Sequence, residues 1–117
     1  MAEAKIQQIY ALVGEHAPKI FPLEIVNDVK EACKFDIENY FELNPNSRKS
    51  AESLAGGSLY IYYILNHRYF QYAKKPTQKR LAKIFGCSES AIRSGFKALH
   101  RTFYDMFDFM LENEIQV

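Results

Sequence analysis

The chain has 117 residues, 48% of them hydrophobic, and a formal net charge of +1; that length suits one domain with an unstapled core and leaves no room for a second. Its two cysteines, Cys33 and Cys87, and its three histidines, His16, His67 and His100, stand at no metal-ligand or catalytic spacing, so no disulfide framework, metal centre or cofactor is expected. No apolar run reaches membrane-spanning length and the N-terminal MAEAKIQQ is not a signal peptide, which points to a soluble cytoplasmic protein, nucleoid-associated in a prokaryote and nuclear in a eukaryote.

Helical periodicity runs through the chain and no stretch alternates like a strand, so residues 1–117 are expected to form a single all-α domain of five helices. A first helix is predicted over 4–13, with Ile6, Ile9, Tyr10 and Val13 inward, stopping at Gly14 before a loop that holds Pro18 and Pro22. The second, over 23–43, buries Val26, Val29, Cys33, Ile37, Tyr40 and Phe41 on one stripe and ends at Asn44, Pro45 and Asn46. The third, over 50–70, carries SLAGGSLYIYYIL, which is apolar or small nearly all round. Such a helix is expected at the centre of a bundle, with Ala55, Gly56, Gly57 and Ser58 letting neighbouring backbones come close and Leu54, Leu59, Ile61 and Ile64 in the core. Tyr60, Tyr62, Tyr63, Tyr69, Phe70 and Tyr72 are expected in the core, with a base-stacking platform as the alternative.

After a basic connector, residues 77–100 read TQKRLAKIFGCSESAIRSGFKALH. Thr77 is placed to cap a short helix whose apolar positions are Leu81, Ile84 and Phe85, Gly86 to end it, and Ser88 to cap the next. In that last helix, expected to continue to about residue 111, Ile92, Phe96, Leu99 and Phe103 repeat at helical spacing as the buried stripe, while Ser90, Arg93, Ser94, Lys97 and Arg101 share the other face. Two short helices joined by so tight a turn, with basic residues outward, have the pattern of a DNA-docking helix-turn-helix over 77–103. Gly95 is costly at mid-helix and requires a close helix neighbour or a close ligand to justify it.

The small net charge conceals a segregation. Residues 1–46 hold four lysines against eight acids, net −4; residues 47–103 hold eleven Lys and Arg against Glu52 and Glu89, net +9; the tail after them adds four acids, net −4. A local positive excess centred on a helix-turn-helix is the pattern expected of phosphate contacts.

The third-helix run SAESLAGGSLYI, followed by PTQKRLAKIFGCSESAIR, resembles one cyclin-fold repeat of transcription initiation factor IIB, above all the second repeat of its archaeal version. The family's Thr-Gln-(Lys/Arg)-Glu corresponds here to Thr77–Arg80, and its Val-Thr-Ile-Arg to Ser90, Ala91, Ile92 and Arg93. The resemblance covers roughly residues 23–107 and implies a cyclin-like bundle whose last two helices read DNA beside the TATA box, with Arg93 at a DNA-contacting position. The chain departs from the family in having no zinc-ribbon cysteines, no second repeat, Ser90 where an apolar residue is usual, and a longer connector. It reads as an excised domain or a small stand-alone paralogue.

These readings together imply a non-catalytic, cyclin-like double-stranded-DNA-binding domain acting in transcription initiation or its regulation. Ser90, Arg93, Ser94 and Lys97 are the expected base-reading residues, and Lys74, Lys75, Thr77, Lys79, Arg80, Lys83 and Arg101 the expected phosphate contacts. TATA-binding protein or another transcription protein is a candidate partner, and a homodimer would double the footprint. The alternative is a cyclin-like protein-interaction module without DNA binding, using the acidic first helices or the aromatic run Phe103, Tyr104, Met106, Phe107, Phe109 and Met110. No nucleophile–base pair, carboxylate dyad or phosphate-cradling glycine loop suggests an enzyme.

Overall fold

A computed structural model describes residues 2–66 and 75–115, with side chains of the last helix described through residue 102 and at Tyr104. The architecture is all-α, with five helices and no strand among the described residues. In chain order these are α1 (Ala2–Ile20), α2 (Val26–Leu43), which follows a 3-10 turn at Leu23–Ile25, α3 (Ala51–Asn66), α4 (Gln78–Phe85) and α5 (Glu89–Ile115).

The central position of α3 follows from its composition. Ala51, the whole run from Ser53 to Leu59, and Ile61 are buried, and the helix packs against α1, α2, α4 and α5. A helix with no polar face finds no stable place at the surface, so the other four enclose it. The tightest approach is between α3 and α5. A Cβ added to Gly95 would overlap the Ser53 carbonyl, and one added to Gly57 would sit 2.5 Å from the Phe96 backbone nitrogen. The glycine in the middle of α5 is therefore there for helix packing. The crossing is tied by the buried Ser53, whose hydroxyl donates to the Ala91 carbonyl over 2.5 Å. Ser58 and Thr102, also buried, satisfy their hydroxyls within their own helices by donating to the carbonyls of Ala55 and Ala98.

Each residue of the stripe on α2 is buried, from Val26 through Phe41, and Ile9 and Val13 of α1 are buried with Ile6 and Tyr10 packed beside them. The first helix, however, does not stop at Gly14. It continues through Pro18 to Ile20. Proline inside a helix forfeits one hydrogen bond and costs about 3 kcal/mol, but the extra turn buries Ala17, Ile20 and Phe21, and full burial of large apolar side chains is worth roughly 1.5–3 kcal/mol each. Tertiary burial thus overrides the local stop signal. At the other end of the core, Ile64 is 41% exposed rather than buried. Of the aromatic group on α3, Tyr60 meets Phe96 edge-on at 5.1 Å and Tyr62 meets Phe21 edge-on at 5.4 Å; Tyr69, Phe70 and Tyr72 lie outside the described residues.

A small apolar pocket of about 290 Å³ lies between α3 and α5, where Ile61, Phe96 and Leu99 are joined by Asp36 of α2. Burial pushes the Asp36 carboxyl from its ordinary 3.8 up to about 6. Because the folded state prefers the protonated acid, this group's contribution to stability is fully present below about pH 4 and is lost as pH rises through about 6. Two pKa units correspond to about 2.7 kcal/mol, and partial exposure reduces that to about 1–2 kcal/mol. Asp36→Asn should therefore be more stable than the natural protein near neutral pH by about that amount and lose the advantage near pH 4, as read from urea midpoints at the two pH values. Equal midpoint differences at both would show that the carboxyl titrates normally.

Candidate nucleic-acid interface

The turn between α4 and α5 is built from local signals. Thr77 caps α4, its hydroxyl oxygen accepting the Arg80 backbone N–H at 3.1 Å, and the preceding Pro76 is fully buried, which anchors the entry to the helix. Gly86 ends α4 in the left-handed conformation, φ 68°, where a side chain would be strained. Ser88 opens α5 by accepting the Ala91 N–H at 3.0 Å. Only three residues therefore separate the helices, and Leu81, Ala82 and Phe85 of α4 and Ile92 and Leu99 of α5 bury their inner faces. Phe96 packs against the same core; the side chain of Phe103 lies outside the described residues.

On the outer face of α5, Ser90, Arg93, Lys97 and Arg101 are exposed and Ser94 is half-buried. The five side chains line one side of a cleft of about 870 Å³. Its other wall comes from the end of α2, with Tyr40, Leu43 and Asn44, and from Lys49 in the α2–α3 connector. Among the described residues no carboxylate lines it, and Lys49, Arg93, Lys97 and Arg101 make no ion pair. Four cations on the lining of one cleft favour an anionic ligand there.

Two of these side chains are held in place. The Arg93 Nε donates to the Gln78 Oε1 at 3.2 Å, which couples the first turn of α4 to the face of α5 and restricts the guanidinium before any ligand arrives. Lys49 donates from Nζ to the Ser94 hydroxyl at 2.5 Å. Neither Gln78 nor Lys49 is among the residues expected from sequence to act here. Lys49 was legible only as one charge in the basic half of the chain, and Gln78 only as a member of the Thr-Gln pair at the start of α4.

The remaining basic residues among those described do not join the cleft. Lys75, Lys79 and Lys83 are exposed but do not line it. Arg80 is half-buried and reaches back to the Lys19 carbonyl on α1 at 3.5 Å. Thr77 is engaged as a helix cap, and Lys74 lies outside the described residues.

Neither cysteine has the character of a nucleophile. Burial pushes the Cys33 thiol up to about 12 against a hydrogen bond with Ser58, and burial, then the charge of Glu52, raises that of half-buried Cys87, so both are thiols near neutral pH. Both are free. Among the described residues no cluster of three or more His, Cys, Asp or Glu could hold a metal ion, and no helix is long and apolar enough to cross a membrane. Compared with known proteins, the chain matches no family model, no curated protein and no solved structure.

Proposed function

We propose that this protein binds double-stranded DNA through α4 and α5 acting as a helix-turn-helix on a cyclin-like bundle, and that it serves transcription initiation or its regulation. The observation that carries the reading is the α5 face: three exposed cations along one stripe, with no carboxylate partner among the described residues, on a helix entered by a three-residue turn. In a helix-turn-helix the start of the second helix meets base edges in the major groove, where an arginine can pair with both acceptors of guanine. Arg93, one turn into α5 and restrained by Gln78, is best suited to that role, with Ser90 and Lys97 beside it. Ser94 is tied to Lys49. Lys75, Lys79, Lys83 and Arg101 are exposed and suited to phosphates, which position a protein on the duplex without carrying sequence information.

The deciding measurement is binding of a random duplex and a TATA-flanking duplex across a salt series. A steep fall in affinity with salt supports the reading, since each neutralised phosphate releases counterions. Absence of binding even at low salt overturns it and favours the protein-interaction module. Lys79→Ala should weaken binding equally on both duplexes and reduce the salt slope by about 0.9, a result read from the same titrations. A loss confined to one duplex would place Lys79 on bases.

A further inference from the structure

The connector between α2 and α3 is fixed by hydrogen bonds to two helices. The ammonium of Lys5, on α1, donates to the carbonyls of Ser47 and Lys49 at 3.3 and 2.9 Å. The Tyr40 hydroxyl, on α2, is 2.6 Å from the Ser47 hydroxyl, and the Ser47 hydroxyl oxygen also accepts the Lys49 backbone N–H at 3.3 Å. Two helices, α1 directly and α2 through Ser47, thus converge on the backbone of one lysine, whose side chain then crosses to Ser94 on α5. Lys49 is half-buried and has a hydroxyl, not a carboxylate, as its side-chain partner. A neutral partner orients the ammonium without cancelling its charge.

The charges opposite Lys49 divide between two roles. Arg93, Lys97 and Arg101 follow one another along α5, spanning roughly 12 Å of helix axis at about 1.5 Å per residue. Arg93 and Lys97 face the bases in the reading above, which leaves Arg101 and Lys49, both on the lining of the cleft, for phosphate oxygens.

We propose that the cleft between α5 and the α2–α3 connector is a phosphate-binding site with Lys49 as its inner cation, and that its ligand is the phosphodiester backbone of a nucleic-acid strand held by Lys49 and Arg101. The assignment of the ligand rests on the DNA-binding reading above; the phosphate chemistry of the cleft does not. Ser94 then acts as a positioning residue for Lys49 rather than as a reader of bases. Free polyphosphate offers the same chemistry as a strand, and the experiment separates the two sources.

The test compares the natural protein with Lys49→Ala and Lys49→Arg, using a random-sequence duplex and a TATA-flanking duplex from low to high salt. Removing the cation that neutralises one phosphate lowers the slope of log affinity against log salt by about 0.9, which is about eight-fold in affinity for each ten-fold dilution of salt. Lys49→Ala is expected to show that loss equally on both duplexes, and Lys49→Arg to retain the slope. Far-UV circular dichroism checks that both variants are folded. If the natural protein binds duplex and Lys49→Ala binds with unchanged affinity and slope, the proposal fails while the DNA-binding reading stands. If the natural protein binds no duplex, that reading fails, and titration with inorganic tripolyphosphate decides the cleft. Shifts of the Lys49 and Ser94 amide resonances that disappear in Lys49→Ala sustain a phosphate site supplied from another source, and their absence in the natural protein overturns it.

Discussion

Gly95→Ala should destabilise the domain by about 3 kcal/mol or more, a large share of the 5–15 kcal/mol that holds a typical domain folded. The competing effects have opposite signs. Alanine is favoured over glycine inside a helix by about 1 kcal/mol, so at an open position the substitution would stabilise α5. At Gly95 the new methyl would overlap the carbonyl of Ser53, a backbone atom that no rotamer change can move aside. Relief requires α5 to lift away from α3, which pulls Ile92 and Leu99, both essentially fully buried, out of their packing and stretches the Ser53 to Ala91 hydrogen bond. A urea melt followed by circular dichroism reads the result directly. An unchanged or higher midpoint would mean that the two helices separate at little cost and that Gly95 has another purpose.

The second large effect concerns the outer face of the same helix. Arg93→Ala is expected to cost about 1–3 kcal/mol on a preferred duplex, the value of a good bidentate base contact, and much less on random sequence. Adding Lys97→Ala, at the neighbouring base-reading position, should reduce binding to the preferred duplex further. Both side chains are exposed, so neither change disturbs the core, and the melting curve should stay within about 0.5 kcal/mol of the natural protein. That separation makes the comparison with Gly95→Ala informative: one substitution in α5 lowers the stability of the domain, and the others leave it unchanged but weaken binding to DNA. Equal loss on every sequence would make Arg93 a phosphate contact, and undiminished binding by the double variant would remove α5 from the interface.

Selecting a preferred duplex from a random pool comes before the Arg93 comparison, because the Ser90 hydroxyl can both donate and accept and so suits more than one base. Lys49→Ala provides the contrasting control. It is expected to lower affinity on all sequences alike, whereas Arg93→Ala discriminates among them. Gln78 holds Arg93 from the first turn of α4, so the orientation of the proposed base reader depends on the neighbouring helix as well as on its own.

Local sequence was enough for the features that hydrogen bonds within one turn or burial of one stripe control. Thr77, Gly86 and Ser88 delimit α4 and α5 because each acts on backbone groups within a few residues of itself. The inward positions of α2 and the central place of α3 follow equally from helical period and composition. Packing settled what depends on partners distant in the chain. The path of α1 through Gly14 and Pro18 was set by the burial available to Ala17, Ile20 and Phe21, which outweighs the local penalty. Gly95 was ambiguous in sequence because the Ser53 carbonyl that requires it lies on another helix. Lys49 meets Ser94 across 45 residues of chain, a contact created by how α5 packs on the bundle and by the hold of Lys5 and Tyr40 on the connector. Periodicity shows which face of a helix turns outward; only packing determines which other cations share that face.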